Sequence, residues 1–96
     1  MVKTMVEKAT VKKPTKEELE KLNIDSWGRW EKEVSEFPWE YHDKETFYVF
    51  EGKATVTLDD GQKVEFGKGD LVTFAKGVKC VWKIHEPIKK AYKFGE

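Results

Sequence analysis

The sequence predicts an all-β domain, a sandwich or a small barrel, and three observations carry that reading. From Trp27 onward apolar residues recur at every second position, the period of a half-buried strand. Turn signals at Asp60-Gly61, at Gly67 with Gly69, and at Gly77 interrupt the alternation at nearly even spacing. Only one short segment near the N-terminus has helical character. At 96 residues the chain is expected to form one domain, residues 1–96, with a modest single core.

Taken in order, Val2 to Val11 alternates loosely and is expected to be an edge strand. Pro14-Thr15 opens the helix, where Thr15 caps the first turn and Glu18 reaches back to complete a capping box. Leu19 and Leu22 give the helix a small apolar face before Asn23 ends it. The strand and helix therefore occupy residues 1–25 and the barrel residues 26–94. Phe37, Trp39 and Tyr41 share one strand face, with Glu40 and His42 on the other. Phe47 and Val49 lie on the face of Glu45, which points that carboxylate inward. Ala54, Val56 and Leu58 alternate with Lys53, Thr55 and Thr57 before Asp60-Gly61, a pair tolerant of positive φ, turns the chain toward Val64 and Phe66. Cys80, Trp82 and Ile84 share a face after Gly77. His85 is placed in a turn before Pro87, and Ile88, Lys90, Tyr92 and Phe94 share the last face. Closing such strands into a barrel removes sheet edges that would otherwise pair with other chains.

Charge and composition narrow the function classes. Lysine plus arginine total 18 and aspartate plus glutamate 18, so no overall field draws in nucleic acid or acidic membranes. There is no basic stripe to track phosphates either, and no run of about eighteen apolar residues to span a bilayer. Cys80 is the single cysteine, which excludes an internal disulfide and a multi-cysteine zinc site. Met1–Thr10 lacks a signal-like apolar core, and a soluble cytoplasmic protein is expected. Abundant lysine and glutamate, with Asn23 and Gln62 the single asparagine and glutamine, match the composition of thermostable proteins.

Three spacings in the second half point further. Glu45, six residues, then Gly52 matches the second half of the first cupin motif, H-x-H-x(3,4)-E-x(6)-G. Gly69, Ala75, Gly77 and Cys80 resemble the second, G-x(5)-P-x-G-x(2)-H-x(3)-N. Trp82, Glu86-Pro87, Lys90 and Tyr92 look like the tail of the small cupins grouped with (S)-ureidoglycine aminohydrolase. The resemblance covers roughly Trp27 to Phe94 and implies a cupin barrel (a double-stranded β-helix, or jelly roll) with one short N-terminal helix. Such barrels usually hold a metal, yet this chain departs from the ligand pattern. The motif histidines fall on Trp39, Tyr41 and Cys80, the proline on Ala75 and the asparagine on Ile84. Glu45 alone matches an ordinary cupin ligand.

The candidate site follows from those positions. Glu45 is the candidate general base or ligand anchor, because a buried carboxylate without a partner is costly and its pKa would rise. Cys80 is a second catalytic candidate, as a nucleophile or soft ligand; a buried free thiol also serves simply as a small hydrophobe. Trp39, Tyr41, Phe47, Trp82 and Tyr92 are expected to line the cavity, and Lys90, of the same parity as Ile88, to pair with Glu45 or clamp an acidic ligand. His42 is close to the first motif but has the parity of the outer face. Tyr48 and Phe50 face outward and need cover, from Trp27 or Trp30 or from the second subunit of a homodimer. The leading reading is a metal-free cupin that binds a small polar or acidic metabolite. The alternatives are a hydrolase with a divalent metal, like the ureidoglycine enzyme, and a non-catalytic dimerising module.

Overall fold

Two long antiparallel strands organise the molecule. The computed structural model describes residues 8–95. Within them β4 (Glu45–Leu58) and β7 (Lys79–Phe94) pair from Glu45 opposite Phe94 to Leu58 opposite Cys80. Fourteen residues at about 3.3 Å each would reach about 46 Å if straight, beyond the largest extent of 34 Å. The strands must therefore bend, and they do so where the β4–β7 register is irregular, between Val49 and Ala54.

Gly52 makes the bend possible. Its φ is +104°, and a Cβ there would lie 2.8 Å from the Ile88 Cα and closer still to the Pro87 carbonyl oxygen. No other residue fits, which accounts for the glycine that follows Glu45 after six intervening residues. The bend divides one sheet into two facing halves. In the first, β1 (Ala9–Lys12) pairs with β6 (Leu71–Phe74), β6 with the start of β4, and the end of β7 with β2 (Gly28–Lys32). In the second, β5 (Lys63–Gly67) pairs with the end of β4, and β3 (Ser35–Glu40) with the start of β7. Side chains from both halves meet between them: Phe47 and Trp82 have ring centroids 5.8 Å apart, Phe66 and Phe74 6.5 Å. Burial of Phe47, Val49, Val56, Val72, Phe74 and Ile84 stabilises the fold by about 1.5–3 kcal/mol each for the larger side chains.

The N-terminal features follow the local sequence closely. Helix α1 (Lys16–Leu22) starts with a complete capping box: the Glu18 N–H donates to Thr15 Oγ1 at 3.1 Å and the Thr15 N–H to Glu18 Oε1 at 2.8 Å. Asn23 ends it at φ 56°, and a 3-10 turn, Ile24–Ser26, leads into β2. The helix buries no residue, so it decorates the barrel and does not form its wall. Asp70 anchors the segment ahead of it. Its carboxylate accepts the Gly67 N–H at 2.8 Å and the Lys13 ammonium at 2.7 Å, joining the β5–β6 turn to the β1–α1 link.

The first strand is seen as Ala9–Lys12 at the sheet edge beside β6; residues 2–7 of the expected strand lie outside the described residues. One expectation needs correction. His85 is not in a turn: β7 runs through it, and its Nε2 lies 2.9 Å from Thr55 Oγ1 on the neighbouring strand. Pro87 does not break β7 because it sits at the bend, where the β4 register skips and the missing N–H is not needed.

Candidate functional site: an aromatic cavity around Glu45 and Lys90

Strand register places the central pair. Glu45, Phe47 and Val49 point inward from β4, and Val49 stands opposite Lys90 of β7. The lysine side chain reaches back along the strand, and its Nζ donates to Glu45 Oε2 at 3.0 Å. Both side chains are only 5% exposed. Three rings enclose the ammonium, with Nζ 3.9 Å from the Phe47 centroid, 4.6 Å from Trp30 and 4.9 Å from Trp82. Desolvated cation–π contacts of this kind stabilise a buried charge. Burial still pulls the Lys90 pKa below its ordinary value, with the Glu45 carboxylate opposing the shift.

A cavity of about 140 Å³ opens beside this pair. Buried Trp82 and Tyr41 and half-buried Trp30, Phe37 and Tyr92 line it. Trp39 and Phe94 stand at the mouth, 47% and 52% exposed.

Tyr41 is held at both ends. Its N–H donates to the Val78 carbonyl at 2.9 Å, the Gly77 N–H donates to its carbonyl at 2.7 Å, and its ring stacks on Phe74 at 4.8 Å. The phenol oxygen accepts the Trp82 indole N–H at 3.2 Å. Burial, reinforced by the Glu45 charge, pushes the phenol pKa well above the usual range, so the hydroxyl keeps its proton. Among the described residues that proton has no acceptor, and Glu45 Oε1 receives no hydrogen bond. Both residues line the cavity, so among the described residues the site offers one further donor and one further acceptor within aromatic walls.

The remaining candidates are distributed as follows. Phe47 is buried beneath Lys90 and contributes to the ammonium's cage, not to the cavity surface. Cys80 is buried outside the cavity, its thiol donating to the Trp39 carbonyl at 3.5 Å. Burial, helped by Asp59, pushes the thiol pKa up to about 11, which keeps it protonated at neutral pH. His42 is exposed. Trp30, Phe37 and Phe94 join the site although the sequence did not single them out as ligand-binding. For Phe37 and Phe94 the signal was their parity with Tyr41 and Lys90. Trp30, one of the alternatives offered to cover Tyr48 and Phe50, turns inward because β2 places it opposite Lys90. Phe50, in edge contact with Tyr48, lies beneath Arg29, whose guanidinium is 4.9 Å from the Phe50 centroid.

The residues present do not fit the metal centre that the fold commonly carries. Among the described residues, no group of three or more His, Cys, Asp or Glu side chains converges. Glu45 is committed through one oxygen to an ammonium, and the positions of the motif histidines carry an indole, a phenol and a thiol.

A bent antiparallel jelly roll with its polar pair facing an interior cavity defines a cupin barrel. The chain belongs to the EutQ-like cupin domain family, whose pattern matches residues 19–92. A crystal structure of a DUF861 family protein from Thermotoga maritima is 50% identical, with a TM-score of 0.90 over 91% of this chain and 99% of that one. The EutQ protein of Clostridium difficile is 27% identical (TM-score 0.64, 70% of this chain), and a putative ethanolamine utilization protein Q from Salmonella typhimurium is 22% identical (TM-score 0.64, 70% of this chain). The match spans about half of those two longer proteins, 52% and 54%. No curated protein matches. Among the described residues no helix is long and apolar enough to cross a membrane.

Proposed function

We propose that this chain is a small-molecule-binding cupin that works without a metal. The supporting observation is the buried Glu45–Lys90 pair beside an open aromatic cavity, with the Tyr41 proton and Glu45 Oε1 left uncommitted. A buried ion pair is a weak device for stability, since apolar residues of similar volume often do as well or better. A pair set against a cavity instead of a filled core is suited to orienting a guest. The cavity, about 140 Å³, has room for a small guest. A polar group on the guest would bridge Tyr41 and Glu45, while an acidic group would share the Lys90 ammonium. The aromatic walls supply the apolar contact that such pockets use for affinity.

Thermal-shift screening of small polar and acidic metabolites, followed by calorimetric titration, tests this reading. Saturable binding weakened about tenfold or more in Glu45→Gln is expected; loss of one charge-assisted hydrogen bond is worth roughly that much. Binding that ignores this substitution would move the ligand elsewhere. The alternative is a metal-dependent hydrolase like the ureidoglycine enzyme, supported by Trp82, Glu86-Pro87, Lys90 and Tyr92 alone. Elemental analysis showing stoichiometric tightly bound metal would favour it.

A further inference from the structure

We propose that Lys90 is a covalent capture site for small carbonyl compounds, forming an imine within the aromatic cavity. The inference rests on the ligand-binding reading above and names its substrate class. Lysines that attack carbonyls are desolvated in apolar pockets and have a base at hand. Lys90 meets both conditions: three aromatic rings surround Nζ, and it donates to the Glu45 carboxylate at 3.0 Å. Lys90, Glu45 and Tyr41 all line the same cavity. Burial lowers the lysine pKa, which favours release of its proton to a neighbour.

The steps balance within this set. Glu45 accepts one proton from the ammonium, and the freed amine forms a C–N bond to the carbonyl carbon. The carbonyl π electrons move to oxygen, and a proton passing from nitrogen to that oxygen gives the neutral carbinolamine. Glu45 then returns its proton to the hydroxyl, water leaves, and the nitrogen lone pair forms the iminium. The net change is one carbonyl compound consumed and one water released. The cation remains on nitrogen beside the Glu45 carboxylate, so the buried pair keeps its charge balance. The Tyr41 proton is available to the carbonyl oxygen of the guest, and the three rings that hold the ammonium can hold the iminium in its place.

The test uses the intact protein, limiting propanal and sodium cyanoborohydride at neutral pH, with peptide mapping by mass spectrometry. Propan-1-ol, of similar shape but without a carbonyl, is titrated in parallel against tryptophan fluorescence. The expected result is one propyl group on Lys90, at least tenfold ahead of the exposed Lys76 and Lys83. Adduct at Lys90 should be suppressed by Glu45→Gln, while labelling of Lys76 and Lys83 is unchanged. Labelling of Lys90 no faster than those surface lysines overturns the proposal. If propan-1-ol still perturbs the fluorescence in that case, the ligand-binding reading survives alone; if neither compound is felt, that reading falls with it.

Discussion

Separating Glu45 from Lys90 should reveal an energetic asymmetry. In Lys90→Met the methionine still lies against Phe47, Trp30 and Trp82, so little packing is lost, but the Glu45 carboxylate is left buried without its cation. Breaking a buried pair from one side typically costs about 3–5 kcal/mol, a large share of the roughly 5–15 kcal/mol available to a domain. Glu45→Gln should cost less, about 1–3 kcal/mol, because cation–π contacts can return about 2 kcal/mol to a desolvated ammonium. The double variant Glu45→Gln/Lys90→Met removes both charges and should cost about 1–3 kcal/mol, less than the summed single losses of about 4–8 kcal/mol, a coupling energy of about 3–5 kcal/mol. Urea unfolding at pH 7 with an unchanged m-value measures all three.

The pH dependence carries its own sign. Burial lowers the folded-state pKa of Lys90, and removing Glu45 removes the group opposing that shift. The unfolded chain then binds more protons than the folded one between that lowered value and about 10.4, so stability rises with pH across this window. The deficit of Glu45→Gln relative to wild type should therefore shrink as pH is raised from 7 toward 10. Strictly additive single and double variants, or a deficit that grows with pH, would refute the reasoning.

Three other outcomes are expected. Gly52→Ala should lose about 3 kcal/mol or more in urea unfolding, since the position combines positive φ with a clash against Pro87. Cys80, with its pKa pushed up to about 11, should react with iodoacetamide at pH 8 on the order of 100-fold more slowly than a free thiol of pKa about 8.5. A rate near that of free cysteine would contradict its burial. Tyr41→Phe removes the acceptor of the buried Trp82 indole N–H and should cost about 1–3 kcal/mol, read as a lowered urea midpoint.

Period-two alternation made the inward face of β4 legible, because burial on one face forces Glu45, Phe47 and Val49 to the same side. The same parity turned Lys90 inward, and the resemblance of Glu45-x(6)-Gly52 to a cupin motif set both residues in a barrel. The capping box over Thr15 and Glu18 was equally legible, being a contact three residues apart. What alternation cannot supply is which strands become neighbours. Trp30 joins the cage only because β2 pairs with β7, and that pairing is a long-range contact with no local mark. Cys80 carried the position of a motif ligand, but the burial that raises its pKa comes from packing around it. Pro87 looked like a break because proline usually ends strands; its tolerance depends on the bend at Gly52, far away in sequence.

Diffraction from crystals soaked with the tightest-binding metabolite of the screened panel tests the central claim most directly. The account predicts the ligand between Trp39 and Trp82, with its polar group within hydrogen-bond distance of Tyr41 Oη and Glu45 Oε1. Density for the ligand at any other surface, with the cavity closed by its own side chains, would contradict it.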